Sequence, residues 1–219
     1  MKVAARIITI LFHPLLMPTI GLLLILNSGT YLSLLDPAAK RAVLFVMALG
    51  TLLFPLMMIP VLYYRNLISS LQDASREERL LPYLVILILY IITFVYFVRL
   101  PLSRAIHGYV LSVSILLFVL LLLSVKFRIC GHTAALGGIC GLIFTLVLQY
   151  ETPLLGFLSV SILVAGLVAS ARLFLGVQRP LEVYAGFFLG FGGAYHYAGL
   201  LIFPGPLVLL DDVFKVILI

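Results

Sequence analysis

The sequence predicts an all-α, polytopic membrane helix bundle, and three observations carry that prediction. Of 219 residues, 64% are hydrophobic and only 10% are charged, whereas an ordinary soluble domain carries about 25% charged residues. The apolar residues fall into seven long runs, and a membrane-spanning helix needs roughly 20 such residues. Period-two alternation is absent from the runs, and open sheet edges are not tolerated in hydrocarbon, so the runs are helices. This composition excludes a soluble globular enzyme and a disordered chain. The net charge of +6 does not indicate a nucleic-acid binder either. Its 14 Lys and Arg and 8 Asp and Glu sit in short gaps between apolar stretches, with no contiguous basic face to follow a phosphate backbone.

The seven runs are Ile7–Leu26, Ala42–Tyr64, Leu80–Val98, Ile106–Val125, Ala134–Leu148, Pro153–Ser170 and Val183–Phe203. The first resembles a signal peptide only superficially. It is too long, is broken by Pro14 and Pro18, and lacks a small-x-small cleavage site after it, so it is expected to be a retained span. His13 beside those prolines marks a kinked helix, and an intramembrane His is a functional candidate by default. The fifth run is short and rich in Gly, which predicts a helix buried among its neighbours. Gly137-x-x-x-Gly141 and Gly186-x-x-x-Gly190 are frames that permit close helix contact. Past Gly205-Pro206, residues Leu207–Ile219 are too few to cross; Leu207, Leu210, Phe214 and Ile217 recur at helical spacing, as in an interfacial amphipathic tail. The whole chain, 1–219, reads as one membrane domain of seven spans, or six if the proline-broken first segment is re-entrant.

Alternating helices sort the gaps onto two sides. One side holds the N-terminus and gaps 65–79, 126–133 and 171–182; the other holds 27–41, 99–105, 149–152 and the C-terminus. The first side carries nine of the Lys and Arg against five on the second, which the positive-inside rule would read as cytoplasmic. Five of the nine (Arg76, Arg79, Arg128, Arg172 and Arg179) lie in loops with the look of a binding site. Without them the balance is four against five, so charge assigns no orientation.

The unusual polar residues concentrate in three loops of that first side. They are Asp73-Ala-Ser-Arg76-Glu-Glu-Arg79-Leu-Leu-Pro82, Lys126-Phe-Arg128-Ile-Cys130-Gly-His132, and Ala171-Arg172-Leu-Phe-Leu-Gly176-Val-Gln178-Arg179-Pro-Leu-Glu182. Converging arginines make a site for a phosphate-like anion, because guanidinium takes oxygens in bidentate fashion. A His among them can give a proton to a leaving oxygen. The plainer alternative is a set of charged loops that anchor helix ends at the interface, with Arg172 snorkelling.

The spacing of these residues resembles the type 2 phosphatidic acid phosphatase superfamily. The third motif of that family is Ser-Arg, five residues, His, three residues, Asp; here the frame reads Ala171-Arg172, five residues, Gln178, three residues, Glu182. The second, Pro-Ser-Gly-His, is matched by Ile129-Cys130-Gly131-His132, and the first survives loosely in Asp73 to Pro82. Phe12-His13-Pro14-Leu-Leu-Met-Pro18 and the stretch from Pro180 to Gly190 are similar to a compact bacterial branch, which implies a bacterial inner (plasma) membrane location. By position, the resemblance makes Arg79 and Arg172 phosphate ligands, joined by Arg76, Arg128 and Arg179. It makes His132 the general acid and Glu182 the orienting carboxylate, and it implies no metal or other cofactor. Its ligands would be a phosphorylated lipid or a polyprenyl phosphate.

Gln178 stands at the position of the nucleophile. An amide has no nucleophilic lone pair of useful basicity, so the phosphoenzyme route is closed. His13, His107 and His196 are not expected near that position, which leaves only slow water attack assisted by His132 or Glu182. The expectation is therefore a phosphatase-like fold and anion pocket, with hydrolysis doubtful. Other readings stay open: a non-catalytic anionic-lipid-binding or structural membrane protein, a prenyltransferase-like enzyme suggested by Asp73, or a transporter. A prenyltransferase needs a second acidic motif, and a transporter needs paired broken helices; neither is present in the sequence. Cys130 and Cys140 lack metal-ligand spacing and read as packing residues, and Tyr184, Tyr195 and Tyr197 as interfacial or interhelical ones.

Overall fold

The computed structural model describes residues 2–65, 76–150 and 153–202. Among these the chain is helical and strand-free. The helices are α1 (Lys2–Leu11), α2 (Met17–Leu26), α3 (Pro37–Ala48), α4 (Phe54–Tyr64), α5 (Arg76–Val98), α6 (Arg104–Ser124), α7 (Gly131–Tyr150), α8 (Leu155–Phe174) and α9 (Pro180–Ile202). Among the described residues, six stretches are long and apolar enough to cross a membrane: Lys2–Leu26, Pro37–Tyr64, Leu80–Val98, Arg104–Ser124, Gly131–Leu148 and Leu155–Phe174. Helix α9, with 23 residues, adds a seventh long helix. The all-α polytopic bundle predicted from hydropathy is the fold. Segment Leu207–Ile219 and residues 73–75 lie outside the described residues.

Two of the long stretches are interrupted, each for a local reason. The first breaks at His13, whose Nδ1 accepts a hydrogen bond from the Leu15 amide at 3.3 Å. That bond caps a short 3-10 turn over Pro14–Leu16, from which α2 continues. Proline fits the first position of such a turn because it has no N–H to leave unsatisfied. The second interruption is a π turn, Leu49–Leu53, between α3 and α4, in which the Phe54 amide bonds back to the Leu49 carbonyl. Pro55 lacks the N–H that would reach the Thr51 carbonyl, and an orphaned carbonyl is costly in hydrocarbon. The Tyr90 hydroxyl of α5 donates to that carbonyl at 3.3 Å, and the Thr51 and Thr19 hydroxyls meet at 3.4 Å. The broken helices are thereby tied to one another.

Helix α7 lies at the centre, packed against α2, α8 and α9. Of its apolar window 61% is buried, against 17–33% in the other five stretches, which matches the burial expected of the Gly-rich run. The glycine frames explain how. A Cβ placed at Gly137 or Gly141 would run into the Phe187 or Phe191 carbonyl, and one at Gly186 or Gly190 would meet Cys130 or Ala134. The two frames therefore face each other across α7 and α9, and only hydrogen side chains allow that approach. Helix α7 also starts earlier than hydropathy suggests, at Gly131 rather than Ala134, which brings His132 into its first turn.

Candidate functional site

The turn after α8 sets the first half of the site. Arg172 lies in the last turn of α8, where a cation also complements the helix C-terminus. The helix closes through Leu175 N–H to the Ala171 carbonyl and Gly176 N–H to the Leu173 carbonyl, both 3.0 Å. Gly176 adopts φ +68°, a left-handed conformation that glycine enters without a Cβ penalty. The chain reverses there and returns Gln178 to Arg172, so that Arg172 Nε donates to Gln178 Oε1 at 3.3 Å.

The second half is His132, placed by two bonds that stitch its loop to the start of α9. The Cys130 amide donates to the Glu182 carbonyl at 3.1 Å. The buried Thr133 hydroxyl donates to the Val183 carbonyl at 2.8 Å. These contacts bring the second and third of the polar loops together. The half-buried His132 ring faces the Thr9 backbone and shares its cavity with Arg172.

The His13 ring stands edge-on to that of His132, with centroids 5.6 Å apart and planes at 76°. His13 lines the same cavity as Arg172. This corrects the expectation that no other histidine comes near: the break after α1 delivers His13 directly to the site. Tyr83, one residue past the polar run ending at Pro82, brings its hydroxyl beside Gly131. Sequence reasoning assigned neither residue a role here. The signal for His13 was present, since a histidine inside a span demands a partner; Tyr83 carried none.

His13, Tyr83, Arg128, His132, Arg172 and Gln178 line one cavity of about 360 Å³. Its remaining wall is largely apolar and runs between α4, α5, α6 and α7, with Ile59, Ile86, Leu116, Leu117, Leu120 and Leu142. None of the described residues lining it is acidic. Two arginines, Arg128 and Arg172, thus face a half-buried space beside two imidazoles, with no carboxylate among the described residues that line it, and buried charge requires a partner.

Not every expected residue joins the cavity. Glu182 does not line it; its Oε2 accepts from the Arg179 amide at 3.2 Å, capping the start of α9. Arg179 is exposed and also stands outside. Glu182 is therefore a cap for the start of α9 in this structure. The side chains of Arg76 and Arg79 lie outside the described residues, although the backbone begins α5 there. Neither His107 nor His196 lines the cavity; His107 bonds to the backbone of Phe97 and Leu100, and His196 is exposed. Cys130 and Cys140 are buried and free. Among the described residues no group of three His, Cys, Asp or Glu is placed to hold a metal ion.

Comparison with protein-family models, with curated proteins and with solved structures finds no match to this chain.

Proposed function

We propose that this integral membrane protein binds the phosphorylated head group of a lipid, a lipid phosphate monoester or a polyprenyl phosphate, without forming a phosphoenzyme. One observation carries the reading: a cavity with Arg172, His132 and Arg128 at one end, an apolar wall beyond, and no acidic residue among the described residues lining it. The polar end suits a phosphoryl group and the apolar wall suits its chain. Pockets of this kind, apolar with a few convergent polar groups, are where small ligands bind.

The bond between Arg172 and Gln178 uses Nε, so among the described residues the two terminal guanidinium nitrogens remain for phosphoryl oxygens. That is the bidentate geometry in which Arg binds phosphate most strongly. Gln178 occupies the position from which a histidine would attack phosphorus, and its amide oxygen is engaged as an acceptor from Arg172. A residue that would have been a nucleophile thus acts as a brace for the anion ligand. The bacterial inner membrane is the location we propose.

The test is phosphate release from a panel of lipid phosphates by the purified protein in detergent, with Gln178→His and His132→Ala variants. The wild type is expected to release none and Gln178→His to gain activity. Rapid release by the wild type, abolished in His132→Ala, would contradict the non-catalytic reading.

A further inference from the structure

We propose that His13 is the second imidazole of the anion site, donating Nε2–H to the bound phosphoryl group rather than attacking it. The inference rests on the phosphate-binding reading above and adds a ligand from a part of the chain remote from the three polar loops. Its first support is placement. His13 lines the same cavity as His132, Arg172 and Gln178, and its ring packs edge-on against His132 at 5.6 Å. Helix α1, which precedes it, packs on α8, the helix that carries Arg172.

The second support is its tautomer. Nδ1 of His13 accepts the Leu15 amide hydrogen at 3.3 Å, so in the neutral ring the proton sits on Nε2. A nucleophilic histidine needs the reverse: a lone pair on the attacking nitrogen and a proton on the other, held by an acceptor. With Nδ1 committed to the cap, Nε2 is a donor. His13 is thus no substitute for the histidine that Gln178 replaces. The break in the first span turns a helix cap into an anion ligand: one ring nitrogen holds the backbone of the 3-10 turn, and the other serves the cavity.

The cap allows the two roles to be separated. Ser and Asp both cap helix starts well, so His13→Ser and His13→Asp keep the acceptor for the Leu15 amide while removing the N–H. Binding of dioctanoyl phosphatidate and of inorganic phosphate to the full chain in detergent would be measured by calorimetry. Wild type, both His13 variants and Arg172→Gln would be compared, with thermal unfolding of each. The expected result is that His13→Ser weakens binding roughly tenfold to a hundredfold, as loss of a bond to a charged group does. His13→Asp should weaken it further, with unfolding temperatures close to wild type. Comparable losses for both probes identify the phosphoryl group as the shared recognition element, and loss for phosphatidate alone identifies the lipid head group. Either His13 variant binding as tightly as wild type, while Arg172→Gln loses affinity, overturns the role of His13 and leaves the phosphate site standing. Wild type binding neither probe overturns both.

Discussion

Arg172 and Gln178, six residues apart, are joined side chain to side chain at 3.3 Å across the turn that Gly176 makes possible. The bond holds the guanidinium at the polar end of the cavity through its Nε. Gln178→Ala should therefore leave the fold intact but loosen phosphate binding by about tenfold, the effect of one hydrogen bond to a charged group. Titration of dioctanoyl phosphatidate checks this, and unchanged affinity would show that Arg172 needs no brace.

Arg172→Lys keeps the charge but loses the fork. If bidentate contact is what binds the phosphoryl group, the lysine variant should bind about tenfold or more weakly, because the two cations are not interchangeable at such a site. A lysine variant equal to wild type would mean that the site senses charge alone.

The position of His132 depends on the stitch between its loop and α9. Thr133→Val removes the hydroxyl that donates to the Val183 carbonyl at 2.8 Å. Interhelical bonds of this kind contribute about 0.6–1.7 kcal/mol in a membrane, so a lower unfolding temperature in detergent is expected. Loss of phosphate affinity should accompany it, since His132 is the preceding residue. A stability loss with no change in affinity would uncouple the stitch from the site.

Close packing of α7 on α9 should be the most sensitive feature of the bundle. Gly137→Ala and Gly190→Ala each place a methyl group against backbone of the facing helix, an overpacking that costs about 1–3 kcal/mol. Gly192→Ala is the control, since a Cβ there meets nothing within 4 Å. Equal unfolding temperatures for Gly190→Ala and Gly192→Ala would contradict the packing described here.

Much of this architecture was legible in the sequence because the membrane imposes few solutions. Runs of apolar residues locate the helices to within a few positions, and the Gly-x-x-x-Gly frames mark the contact between α7 and α9. The conjunction of Arg172, His132 and Gln178 was legible from their loops on one side of the bundle. The break at His13 was legible as a kink, but not where the kink would deliver the ring, because that depends on how α1 packs on α8. Glu182 shows the opposite failure. Its spacing from Gln178 suggests a carboxylate that orients a side chain, yet at the third position of α9 it satisfies the Arg179 amide instead. Helix capping is a local need that a spacing pattern does not distinguish from catalysis. The π turn at Leu49–Leu53 left only a faint trace in sequence, the proline at position 55, since its shape depends on Tyr90 of α5 completing the freed carbonyl.

The most direct measurement is the affinity of the purified protein in detergent for dioctanoyl phosphatidate compared with dioctanoylglycerol, its dephosphorylated counterpart, in wild type and Arg172→Gln. The account predicts that wild type prefers the phosphorylated lipid by at least about tenfold and that Arg172→Gln loses the preference while still binding the neutral lipid weakly. Equal affinity of the wild type for the two lipids would contradict it, and the cavity would then be an apolar space between helices rather than a site for phosphate.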